Sequence, residues 1–126
     1  MVLGSVLVVE DDAHIRDTLR ELLSAEGYET HGAEHGARAL ELLGDGLSPD
    51  VILLDLMMPV MNGSEFRAKQ VQDPTIKGIP VIVVSAYPVA GVHGPVLYLQ
   101  KPVRLAKLLA TIEHALKGGT PDDMVS

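Results

Sequence analysis

The stretch VILLDLMMPVMNG, residues 51–63, constrains the fold of this chain more than any other part of it. Val51 to Leu54 form an apolar run too short for a free-standing helix, built of side chains that suit a strand buried on both faces. The run ends on a single carboxylate, Asp55. Pro59 and the pair Asn62-Gly63 then turn the chain, which puts Asp55 at the carboxyl end of a central strand, opening into a loop. In parallel α/β sheets that edge is where ligands bind.

The flanking segments alternate in the same way. Residues 5–9, SVLVV, read as a buried strand that ends on Glu10, Asp11 and Asp12. Ile15, Leu19, Leu22 and Leu23 then fall at helical spacing, and Gly27 stands where a C-terminal cap is expected. A short edge strand over 28–31 and a second helix over 33–43, carrying Ala37, Leu40 and Leu43, follow. After the central strand, Ser64 is expected to cap a third helix that runs to about Gln72 with Phe66 and Val71 facing inward. Strands over 80–84 and 96–99 come next, and Leu105, Leu108, Leu109, Ile112 and Leu116 mark a last amphipathic helix. Short loops between alternating strands and helices imply right-handed crossovers and a parallel sheet of five strands, whose order periodicity leaves open. Several strands end on polar residues: Glu10 and Asp11, Asp55, Ser85 and Lys101. In a parallel sheet these ends share one edge, so the polar side chains converge there.

Composition narrows the chemistry. A length of 126 residues fits one domain, expected over residues 1–119 with 120–126 as a flexible tail. Hydrophobic residues make up 47% and aromatics 3%, so the core must be aliphatic. With no Cys, disulfides and thiolate metal sites are excluded, and any metal must be held by oxygen or imidazole. A net charge of -7 argues against nucleic-acid binding by this domain. The opening MVLGSVLVVE lacks a basic segment and reads as a strand and not as a signal peptide. No apolar run approaches the length of a membrane span. The expected location is cytoplasmic, with no membrane partner.

Three carboxylates within a few ångströms repel by roughly 4 kcal/mol per close pair at an effective dielectric near 20. Either a carboxyl pKa rises or a hard cation binds, and an oxygen-only site that keeps several waters is what Mg²⁺ prefers. Asp12 reads more simply as an acid at a helix N-terminus. A carboxylate beside a cation and a Lys is a plausible nucleophile toward phosphorus, because phosphoryl transfer needs mainly positioning and charge neutralisation. Lys101 can supply a positive charge and Ser85 a hydroxyl. His14 is close enough in sequence to the acids to be weighed as a further ligand, whereas His31, His35, His93 and His114 form no ligand spacing.

VLVVEDD at 6–12, DLMMPVMNG at 55–63, PVIVVSA at 80–86 and YLQKP at 98–102 resemble, in order and spacing, the receiver domain of two-component response regulators (CheY-like). The resemblance covers residues 3 to about 117. It implies a flavodoxin-like, doubly wound five-stranded parallel sheet of order 2-1-3-4-5. It implies that Asp55 is the phosphoacceptor, taking a phosphoryl group from a histidine kinase or histidine phosphotransfer protein. By the same resemblance Asp11, Asp55 and the backbone carbonyl of Met57 bind Mg²⁺, with Glu10 acting through water. Lys101 pairs with the phosphoryl oxygens, and its bond to Pro102 is cis, as in the family. Ser85 hydrogen-bonds the phosphoryl group, Tyr98 turns inward as Ser85 moves, and Ala86 leaves the entrance open. Met57 and Tyr87 hold the two positions that tune phosphoryl lifetime, and their bulk suggests restricted attack by water. The implied function is a signalling switch with a downstream protein partner, not an enzyme acting on a separate substrate, although it assists its own phosphorylation and dephosphorylation.

The sequence departs from the family between Ser85 and Lys101. There AYPVAGVHGPVLYLQ is short, and Pro88, Gly91, Gly94 and Pro95 interrupt it. The fourth helix, which the family places in this region, is expected to be reduced or absent. A different reading is a constitutive adaptor that keeps the fold and signals by binding alone. A flavin-binding flavodoxin is opposed by the acids at 10–12, and a hydrolase lacks a second acid or base to activate water.

Overall fold

The computed structural model describes residues 2–58, 60–86 and 96–118. In chain order the elements are β1 (Ser5–Val9), α1 (Ala13–Ala25), β2 (Glu29–Ala33), α2 (Gly36–Gly44), β3 (Val51–Asp55), α3 (Gly63–Gln72), β4 (Val81–Ser85), β5 (Leu97–Gln100) and α4 (Leu105–Leu116). The strands form one sheet in the order β2-β1-β3-β4-β5, and every pairing is parallel. β3 lies in the middle, paired through Val51 to Leu54 with β1 and through Ile52 to Asp55 with β4.

Two-residue alternation along the strands splits the core into two layers. Val6, Val8, Leu53 and Ile82 pack against Leu23 of α1 and Leu108 and Ile112 of α4. Leu7, Val9, Ile52 and Leu54 pack on the opposite face with Ala39 and Leu43 of α2 and Phe66 of α3. Continuous apolar strands are what burial on both faces requires. No helix among the described residues is long and apolar enough to cross a membrane.

Besides one-residue shifts of β4 and β5, local boundaries differ from the sequence reading in three places. The edge strand runs from Glu29 to Ala33, two residues later at its end than expected, because it pairs along the whole of β1 up to the bond from Glu10 N–H to the Ala33 carbonyl, 3.0 Å. The second helix consequently starts at Gly36, where His35 Nδ1 accepts the Arg38 N–H at 3.1 Å and acts as the cap. The third helix is capped by Asn62 and not by Ser64: Asn62 Oδ1 accepts the Glu65 N–H, and the Glu65 carboxylate accepts the Asn62 N–H. Its inward side holds Phe66 as expected, but with Arg67 and Gln70 buried beside it, while Val71 is only half-buried. The expectations about the shortened segment, Tyr87 and the tail fall on residues 87–95 and 119–126, outside the described residues.

Candidate functional site

The same alternation aims the polar strand ends. Glu10 continues the row of Val6 and Val8, Asp55 the row of Val51 and Leu53, and Lys101 the row of Leu97 and Leu99, all in the layer covered by α1 and α4. Their side chains meet. Lys101 Nζ lies 3.2 Å from Glu10 Oε1 and 3.2 Å from Asp55 Oδ2. Carboxylate oxygens of Glu10, Asp11 and Asp55 all lie within 4.8 Å of one another. Glu10 and Asp55 are only 4% and 7% exposed, whereas Asp11 faces solvent.

Backbone groups fix this arrangement. The Met57 N–H donates to Asp55 Oδ1 at 3.0 Å, and the Asp12 N–H donates to Glu10 Oε2 at 3.2 Å. Arg16 of α1 donates to the Glu10 carbonyl at 2.8 Å. The Lys101 N–H donates to the Ser85 carbonyl at 2.8 Å, which ties the end of β4 to the lysine. Ser85 itself is buried, and the Lys101–Pro102 peptide is cis. Asp12 serves as the N-cap of α1, its Oδ1 accepting from the His14 and Ile15 N–H groups. His14 is exposed and stands outside the carboxylate cluster. Tyr98 is 37% exposed, and Met57 is 68% exposed at the rim.

Charge crowding shows in the proton affinities. Burial, reinforced by a side-chain hydrogen bond with Asp11, pushes Glu10 up to about 7. For Lys101 burial alone would lower the value, but Asp55 and Glu10 outweigh it and hold the ammonium above its ordinary range. Lys101 therefore stays charged. The oxygen-only donors suit a hard divalent cation.

The family model for the response regulator receiver domain matches residues 6–113. The chain belongs to that family. This receiver is 39% identical over 124 residues to response regulator MprA of Mycolicibacterium vanbaalenii, an alignment covering 94% of this chain and 52% of MprA. The chain thus spans about half the length of the MprA relatives it matches. Against the polar-differentiation response regulator DivK of Brucella anthropi it is 33% identical over 118 residues, covering 89% of this chain and 95% of DivK. Among solved structures, response regulator protein TrrA of Thermotoga maritima, in complex with Mg²⁺-BeF, superposes with a TM-score of 0.80 at 28% identity, covering 90% of this chain and 99% of that one.

Two glycines support the receiver site, one read from the sequence only as part of a turn and the other only as part of a helix. A Cβ on Gly63 would stand 2.6 Å from the Asp55 carbonyl oxygen and 2.8 Å from the Leu56 Cα, so only glycine lets α3 start so close to the end of β3. The Asn-Gly pair carried that signal, though the turn explained it equally well. Gly36 docks α2 on the same loop: its N–H donates to the Met61 carbonyl at 3.0 Å, and a Cβ there would meet Met61 at 2.8 Å. Nothing in the local sequence at 34–36 announces that contact.

Proposed function

We propose that this receiver is a phosphorylatable switch in which Asp55 accepts a phosphoryl group from a phosphohistidine of a histidine kinase or phosphotransfer protein. The observation that carries the reading is the meeting of Asp55, Glu10 and Lys101 at 3.2 Å contacts on one sheet edge, with Asp11 beside them. An Asp55 carboxylate oxygen attacks phosphorus and forms the new P–O bond. The P–N bond of the donor breaks, and the imidazole nitrogen leaves with the electron pair. Asp11, Asp55 and the Met57 carbonyl would hold Mg²⁺, with Glu10 bound to it through water. Bound Mg²⁺ supplies charge neutralisation for the phosphoryl oxygens.

Lys101 has the charge and the position to pair with the incoming phosphoryl oxygens once its contact with Asp55 is given up. The Met57 N–H keeps one Asp55 oxygen oriented throughout. Ser85, tied to Lys101 through its own carbonyl, is assigned the hydrogen bond to the phosphoryl group. Tyr98, part-exposed on β5, reports that movement to a protein partner. Met57 and Tyr87 tune phosphoryl lifetime. The domain is assigned to residues 1–119 and acts in the cytoplasm.

Incubation with ³²P-labelled acetyl phosphate and Mg²⁺ tests the proposal. Label is expected on the wild-type chain, lost without Mg²⁺ and lost in Asp55→Ala. No label on the wild type would favour the constitutive adaptor instead, and equal labelling of Asp55→Ala would put the acceptor at another residue.

A further inference from the structure

An apolar cavity opens directly off the charged cluster. Its volume is about 510 Å³; Leu19, Leu53, Val84 and Val103 wall it, and Glu10, Asp55 and Lys101 close its polar end. Ile15, Ala86 and Pro102 of its lining are exposed, so it is a cleft open to solvent. Pockets that take small organic ligands run from roughly 300 to 1,000 Å³, with mostly apolar walls and a few polar groups at one end. No aromatic ring borders this space among the described residues, which accords with a chain that has one Phe and no Trp. That Phe lies in the opposite core layer.

The polar end selects the charge of an occupant. Lys101 already bridges Glu10 and Asp55 there, and Asp11, beside the same cluster, leaves the formal charge of the four groups negative. A cationic head is attracted and an anionic one repelled. We propose that this cavity binds amphipathic organic cations of the alkylammonium class. The ammonium meets the carboxylates of Glu10 and Asp55, and the chain lies along Leu19, Leu53, Val84 and Val103. Such an occupant blocks access to Asp55, so it opposes both Mg²⁺ and phosphorylation. That consequence rests on the phosphoacceptor reading of Asp55; the binding does not.

Calorimetric titration of the full chain with butylamine, hexylamine and octylamine tests the site. Affinity is expected to rise about fourfold per methylene buried, with hexanol binding at least tenfold more weakly than hexylamine and hexanoate not at all. Added Mg²⁺ is expected to weaken hexylamine competitively. Leu19→Phe and Val103→Phe, each putting a ring into the cavity from a half-buried position, are expected to abolish the chain-length dependence while leaving labelling by acetyl phosphate intact. Equal affinity for butylamine and octylamine on the wild type, or hexanoate binding as tightly as hexylamine, overturns the proposal without reference to any variant. Chain-length-dependent amine binding by a wild type that acetyl phosphate does not label sustains the cavity and removes only its consequence for phosphorylation.

Discussion

Among the described residues, Val60 is the non-glycine residue with a left-handed backbone. It has φ 65° and is 78% exposed, so a β-branched side chain occupies the left-handed region with no packing to compensate. The loop around it is fixed at both ends, by the Met57 bond to Asp55 and by the close seat of Gly63. Val60→Gly relieves the strain at the expense of chain entropy. It is expected to stabilise the domain by about 1 kcal/mol, read as a higher urea midpoint with an unchanged m-value. A lower midpoint would mean that the loop is not strained. The sequence displays Val60 only as one more apolar residue between two turn signals, because backbone conformation at a single β-branched position leaves no periodic trace.

At the scale of elements, α3 shows where pattern reading stops. Its amphipathic stripe is weak because Arg67 and Gln70 occupy inward positions. Gln70 Oε1 accepts from Arg67 Nη1 at 2.7 Å, and its amide donates to the carbonyls of Ile76 and Ile79 at 2.9 and 3.1 Å. One side chain thus pins the connection from α3 to β4. Gln70→Leu raises local hydrophobicity yet leaves those buried carbonyls without this donor, so it is expected to destabilise by about 2 kcal/mol or more. Chemical denaturation measures it, and a neutral or stabilising outcome would show the network to be dispensable. β1, β3 and β4 were legible because burial on both faces enforces continuous apolar runs, and α1 and α4 because their apolar residues recur at helical spacing. The start of α2 and the cap of α3 were not, since His35 acts through one hydrogen bond and Asn62 through a reciprocal pair with Glu65, neither of which shows in the apolar periodicity.

Across the whole molecule, the sheet order places β1 and β3 side by side with β5 two strands away, and only the length of the lysine lets Lys101 reach both acids. The polar strand ends foretold a shared edge, but which of them share a face was not foretold. Distances, and the burial of Glu10, came from the fold. Folded-state Glu10 titrates near 7 against an ordinary 4.5. Between those values the folded chain keeps a proton that the unfolded chain has released, so this contribution is complete below pH 4.5 and is lost as pH rises through about 7. Metal-free wild type is therefore expected to lose stability relative to Glu10→Gln across that window. Urea titrations at a series of pH values check the sign; a relative gain would contradict it.

The central claim is that one aspartate among clustered acids takes the phosphoryl group. Borohydride reduces an aspartyl phosphate to homoserine, which peptide mass mapping locates. After treatment with acetyl phosphate and Mg²⁺, homoserine is expected at position 55; homoserine at 11 or 12, with Asp55 intact, would contradict the account.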